Sequence, residues 1–168
     1  IYEASQTGRY RVTVLDKYNC IARDTMQLTV FPVPAVDLSG QQLICGSKSG
    51  MVEVKITGTE ENIWRQGSFK WESDQPGKVK FYNSSVTSSG FDVTEWGKYE
   101  IRYTLTTVDG CTISKIFPVG IYQIPTSFFE FTESPNDKCK GYSREILYTG
   151  NASEQADFYW DYGGSRMV

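Results

Sequence analysis

The groups in this 168-residue chain that could do chemistry are four cysteines (Cys20, Cys45, Cys111 and Cys139), twenty acidic side chains and four tryptophans. There is no histidine. That absence removes the triads in which imidazole activates a nucleophile, and it removes the metal sites built on imidazole. No Cys-x-x-Cys pair occurs, so a thiolate zinc site is not expected either. Hydrolysis by two carboxylates needs only a defined spacing between them. Glu60 with Glu61 and Asp157 with Asp161 meet that requirement nominally, but they read as solvated turn residues. Asp16, Asp109, Asp137 and Asp161 could contribute oxygens to calcium at module joints. They are scattered, without a D-x-D-x-D loop, and read as surface aspartates. No cofactor and no catalytic activity are expected.

The elements that must position these groups are strands. Apolar residues alternate with polar ones in short runs: 9–15, near 25–31, 35–38, 51–57, 68–72, 78–82, 91–94, 97–108, 112–122 and 143–149. That period belongs to half-buried β-strands, and no run carries a sustained helical stripe. Gln75-Pro76-Gly77 and Asp109-Gly110 are turn signals, residues 40–50 read as a loop, and Pro118 predicts an edge position or a break. Trp71 and Trp160 fall where a sandwich buries a core tryptophan. Trp64 and Trp96 read as strand-end packing, with stacking on a sugar as the alternative. A formal net charge of −3 without a basic block leaves no footprint for nucleic acid, and no apolar run is long enough to span a membrane.

One phrase occurs twice: Gly8-Arg9-Tyr10-Arg11-Val12-Thr13-Val14, then Gly97-Lys98-Tyr99-Glu100-Ile101-Arg102-Tyr103. Each is followed by a turn and a cysteine, with Tyr10 and Tyr99 on the inward face. Cys20 and Cys111 are 91 positions apart (20 to 111), and Cys45 and Cys139 are 94 apart (45 to 139). Two cysteine classes recurring at nearly one period indicate tandem modules. The expected division is the closing part of one module over residues 1–33, a complete module over 34–124, and the opening part of a third over 125–168. Both chain ends then lie within modules, and Pro32, Pro34 and Pro125 mark stiff joints. The complete module holds one cysteine of each class, so Cys45–Cys111 is the expected disulfide, with Cys20 and Cys139 paired outside the sequence. This pairing demands an atypical route for the 40–50 loop, because in a plain immunoglobulin topology the two positions lie at opposite ends of the sandwich.

Gly8-x-Tyr10-x-Val12-x-Val14 through Asn19-Cys20 and Thr29-Val30-Phe31-Pro32-Val33-Pro34 resembles the end of immunoglobulin-like repeats in large surface proteins of Bacteroidetes. Ile44-Cys45-Gly46, Trp71 ahead of Pro76-Gly77-Lys78-Val79-Lys80-Phe81, and Trp96-Gly97-Lys98-Tyr99 with Gly110-Cys111 follow one subtype's order. Tyr159-Trp160-Asp161-Tyr162-Gly163-Gly164 is similar to the Trp-Asp-Phe-Gly-Asp-Gly signature of PKD domains, departing from it at Gly164. The resemblance implies an all-β fold of tandem sandwich modules, extracellular placement at the cell surface and oxidised cysteines. It also implies a spacer or adhesive role of the gliding-motility adhesin type, exported by type IX secretion. Asp24-Thr25-Met26 is similar to the O-glycosylation motif of such exports, which makes Thr25 a candidate. The Asn83-Ser84-Ser85 and Asn151-Ala152-Ser153 sequons read as accidental in that setting. The expected function is a stalk or adhesin whose partners are neighbouring repeats and, beyond them, surface glycans or the secretion and motility machinery. Two other readings are a carbohydrate-binding or accessory module of a secreted hydrolase and a cargo segment captured with secretion machinery. A eukaryotic receptor ectodomain is disfavoured, because the usual Cys–Trp–Cys spacing is absent.

Overall fold

A computed structural model describes residues 2–131, 145–162 and 165–167. The chain divides into two compact units, Ile1–Tyr122 and Gln123–Val168.

The first unit opens with a hairpin of β1 (Gly8–Leu15) and β2 (Ile21–Leu28), paired in register from Gly8↔Leu28 to Leu15↔Ile21. The second strand begins four residues before the alternation in the sequence suggests. The tight turn at 16–20 returns the chain directly, so Ile21 pairs as soon as it leaves the turn. Two four-stranded sheets follow. One has the order β3 (Ala35–Gly40), β5 (Ser49–Thr57), β8 (Ser88–Val93), β7 (Val79–Tyr82). The other has the order β4 (Leu43–Cys45), β10 (Thr112–Tyr122), β9 (Gly97–Thr106), β6 (Ser68–Ser73). Among the described pairings all are antiparallel except β4 with β10, which run parallel with Tyr122 opposite Cys45.

The two sheets share one core. Val36, Val52, Val54, Phe91 and Val93 from the first meet Trp71, Tyr99, Ile101, Tyr103, Leu105, Phe117, Val119 and Ile121 from the second. The alternation of β9 shows why: Tyr99, Ile101, Tyr103 and Leu105 point inward while Glu100 and Arg102 face out. Gly50 on β5 is required by closeness, since a Cβ there would sit 2.5 Å from the Phe91 ring and 2.8 Å from Ile44. Pro118 pairs with Glu100 of β9 on one side, while β4 covers the other side of β10 only at residues 120–122. The missing donor of Pro118 therefore falls where the strand is an edge.

Three local features depart from the sequence reading. The 40–50 segment is partly ordered as β4. Residues 61–65 form a single helical turn, α1 (Glu61–Arg65). Pro34 is almost fully buried, so it packs within the unit and does not lie in an exposed joint.

The second unit holds β11 (Phe129–Phe131) paired with β12 (Ile146–Tyr148), and β13 (Trp160–Tyr162) paired with β14 (Ser165–Met167). Tyr148 Oη donates to the Thr126 carbonyl, and Thr126 N donates to Asn151 Oδ1 at 2.7 Å, closing the open end of the β11–β12 pair.

Candidate functional site

The cysteines come first, because a disulfide between Cys45 and Cys111 was the most specific site expectation. The structure does not join them: Cys20, Cys45 and Cys111 are all free thiols. Cys45 ends β4 beside Tyr122, the last residue of β10, whereas Cys111 immediately precedes Thr112, the first. Eleven strand residues lie between those ends, which is about 36 Å at strand rise, and a disulfide needs Cα atoms within about 7 Å. The parallel seating of β4 beside the end of β10 is the physical reason. Cys139 lies outside the described residues, as do Asp137 and the Gly163-Gly164 pair.

Cys20 and Cys111 nevertheless close turns of the same kind. Asp16 N donates to Cys20 O at 3.1 Å and Asn19 N to Asp16 O at 3.1 Å; Thr107 N donates to Cys111 O at 2.9 Å and Gly110 N to Thr107 O at 3.0 Å. Asn19 and Gly110 both take the left-handed conformation, φ 64° and 84°. Each cysteine N–H is held by the side chain opening the turn: Asp16 Oδ1 at 2.8 Å and Thr107 Oγ1 at 3.1 Å. At the other end of the strand the match continues. Tyr10 Oη donates to Gln6 O and Tyr99 Oη to Glu95 O, both at 2.8 Å and both four residues back.

The tryptophans divide. Trp71 is buried, its Nε1 donating to Ser85 O at 3.1 Å and its ring 4.8 Å from that of Tyr103. Tyr99 is buried as expected, but Tyr10 is half-buried and outside the core cluster. Trp160 is likewise half-buried, set edge-on to Phe129 at 6.0 Å. Trp64, which no strand period located, is buried on α1 beneath Arg65. Trp96 is exposed, with Lys48 Nζ 5.1 Å from its ring centre. Trp64 and Trp96 therefore do not offer a pair of open rings.

Glu60 caps α1 by backbone alone, and Glu61 pairs with Arg65. Asp157 and Asp161 are exposed. Among the described residues, no three of His, Cys, Asp and Glu come close enough to hold a metal ion. One concavity of the sandwich is a hollow of about 440 Å³ bordered by Gln42, Leu43, Asp74, Lys98, Glu100 and Tyr122. Its most organised group is Asp74. Desolvation pushes that carboxyl up, but the Glu100 N–H, at 2.9 Å, and the Ser73 hydroxyl, at 3.0 Å, together with Gln75, outweigh it and hold it below its ordinary value. Asp74 N also donates to Glu100 O at 3.2 Å. Asp74 thus prolongs the β6–β9 ladder past Ser73, and its oxygens serve the backbone.

Thr25 is exposed on β2 opposite Arg11, with its N–H on Asp24 Oδ1 at 2.7 Å, so its hydroxyl is accessible to modification. No helix among the described residues is long and apolar enough to cross a membrane. No family model and no curated protein sequence matches this chain.

Proposed function

We propose that this chain is a load-bearing and adhesive repeat region of a large cell-surface or secreted protein, a stalk or adhesin of immunoglobulin-like modules without catalytic activity. The observation that carries the reading is the parallel seating of β4 on the end of β10. Tension entering through β3 pulls β4 toward its N-terminus, and tension leaving past Tyr122 pulls β10 toward its C-terminus. In parallel neighbours those forces are opposed along the strands. They load Gly120 N to Gln42 O (2.7 Å) and Gly46 N to Tyr122 O (2.9 Å) together, in shear, where a hairpin would unzip bond by bond.

The modular part of the proposal draws on two further features. The strand order β3-β5-β8-β7 facing β10-β9-β6 is like the ABED and GFC arrangement of immunoglobulin-like sandwiches, and the Tyr99 bond to Glu95 O resembles the tyrosine corner of that class. The identical tyrosine bond and cysteine turn at Tyr10 and Cys20 support reading β1–β2 as the same closing hairpin of another module. Hairpin β1–β2 is shorter than β9–β10 at the turn: glycine and tyrosine are 89 positions apart (8 to 97), the turn cysteines 91 (20 to 111). The difference of two residues keeps every side chain on its own face.

A carbohydrate-binding module needs open aromatic faces, and Trp64 is buried while Lys48 lies over Trp96. Surface glycans and secretion or motility machinery remain partners of this proposal through the assembled stalk. Antibody labelling of intact cells with a serum against this chain tests the placement. Signal on unpermeabilised cells, lost after external proteolysis, is the expected result; signal only after lysis would defeat it.

A further inference from the structure

The outer face of the β4-β10-β9-β6 sheet lacks a side chain in the middle of a paired row. Gly120 of β10 lies between Leu43 of β4 and Lys98 of β9, and Pro118 pairs with Glu100 in the next row. The alternation that buries Val119 and Ile121 turns Pro118, Gly120 and Tyr122 outward. A glycine within a strand leaves a dip in such a surface and marks a place where another group comes close. Tyr122 makes that approach. A Cβ on Gly120 would sit 2.6 Å from Tyr122 Cε2 and 3.2 Å from its Cζ, so the ring leans back along its own strand across the glycine. The ring, Leu43 and Pro118 give the 440 Å³ hollow an apolar bed. Leu43 is 61% exposed and Tyr122 36%, so the bed is open to solvent.

The rim is polar. Among the described residues, the side chains of Gln42, Lys98, Glu100 and Tyr122 make no hydrogen bond and no ion pair. Asp74, by contrast, is occupied by the backbone. Lys98 stands against Glu100 and Asp74, so the rim has no positive excess with which to hold an anion. What it offers is a donor and an acceptor two residues apart on β9, about 7 Å along the strand, beside an apolar surface. A pyranose ring has the complementary make-up. Its C–H groups form an apolar face that suits an aromatic ring, and its hydroxyls both donate and accept around the edge.

We propose that this hollow binds a neutral pyranose unit of a surface glycan, with the sugar ring against Tyr122 and its hydroxyls on Lys98, Glu100 and Gln42. The proposal locates the adhesive site of the reading above and rests on that reading for the source of the glycan. Leu43 belongs to β4, and Gly120 and Tyr122 belong to β10, so the sugar lies across the two strands that the load pulls apart. A ligand that binds only the paired strands adds to their stability, and occupancy therefore strengthens the clamp.

The test is titration of the intact, isotope-labelled chain with methyl β-glucoside, methyl α-mannoside and methyl β-galactoside, read from its amide resonances. Glucuronate, glucosamine and sorbitol supply an anion, a cation and an open-chain polyol without a ring face. At least one neutral pyranoside is expected to move the Leu43, Lys98 and Gly120 amides, with a Kd on the order of 1–10 mM. Tyr122→Ala should weaken that binding about tenfold and Lys98→Ala about fivefold. Both positions lie outside the core cluster, so both variants should keep the thermal transition of the sandwich. Silence from all three pyranosides at about 100 mM overturns the proposal. So does an equal response to sorbitol, tighter binding of glucuronate or glucosamine, or an affinity unchanged in both variants. None of those results would disturb the load-bearing reading, which is tested by surface labelling and by pulling.

Discussion

Replacing Tyr103 by phenylalanine probes the centre of the sandwich with one oxygen atom. Tyr103 is fully buried on β9 against Trp71, and its hydroxyl donates to the Val86 carbonyl at 2.8 Å. Phenylalanine keeps the packing but leaves that carbonyl without its donor, so Tyr103→Phe should cost about 1.5 kcal/mol near neutral pH. The alkaline behaviour gives a second, signed expectation. Desolvation pushes the phenol from its ordinary 10.0 up to about 12. A raised pKa means that the folded chain retains a proton the unfolded chain releases. The associated stability is complete below pH 10 and is lost as pH rises toward 12. A gap of about two pH units corresponds to about 2.7 kcal/mol. The wild type should therefore be more stable than the variant at pH 8, converge with it near pH ~11, and fall below it near pH ~12. Urea unfolding followed by tryptophan fluorescence at a series of pH values measures the difference directly. A substitution costing nothing at pH 8, or a difference that stays flat from pH 10 to 12, would refute the account of this core.

Other consequences are quickly checked. Cys20 and Cys45 should react with maleimide in the native chain and Cys111 more slowly, being half-buried; a Cys45–Cys111 peptide in a non-reducing digest would contradict the topology. Gly50→Ala places a methyl into the Phe91 ring and Ile44, and should destabilise by about 1–3 kcal/mol in thermal or urea unfolding. Asp74→Ala should cost about 1 kcal/mol at neutral pH. Because the Asp74 carboxyl is held below its ordinary 3.8, its contribution is present above that value, and the gap to wild type should close as acid protonates it. Trp71→Ala should cost about 3–5 kcal/mol, whereas Trp96→Ala, at an exposed site, should stay within about 0.5 kcal/mol.

Most of the sandwich was legible in the chain because β5, β6, β7, β9 and β10 each have one buried face, and that asymmetry writes itself as alternation. What was not legible is short or non-local. β4 has three residues, too few for a period, and only its parallel contact with β10 defines it. Trp64 sits on one turn of helix, so no strand pattern could assign it to the core. Cys20 and Cys111, classed together from spacing, do close the same kind of turn, yet spacing says nothing about which end of a sandwich a residue occupies. That depended on the unforeseen direction of β4 beside β10. Tyr10 and Trp160 follow the sequence pattern of core residues but are only half-buried, outside the cluster that the two four-stranded sheets enclose.

The most direct test of the load-bearing claim is to pull the chain by its two ends in single-molecule force spectroscopy. Forced unfolding is governed by the unfolding rate, so it reports the β4–β10 clamp and not equilibrium stability. The shear geometry predicts one cooperative rupture that releases about 300 Å of contour as residues 35–122 extend, at a force well above that for opening the β1–β2 hairpin. A sandwich that gives way gradually, at forces no higher than those that unzip a hairpin, would contradict it.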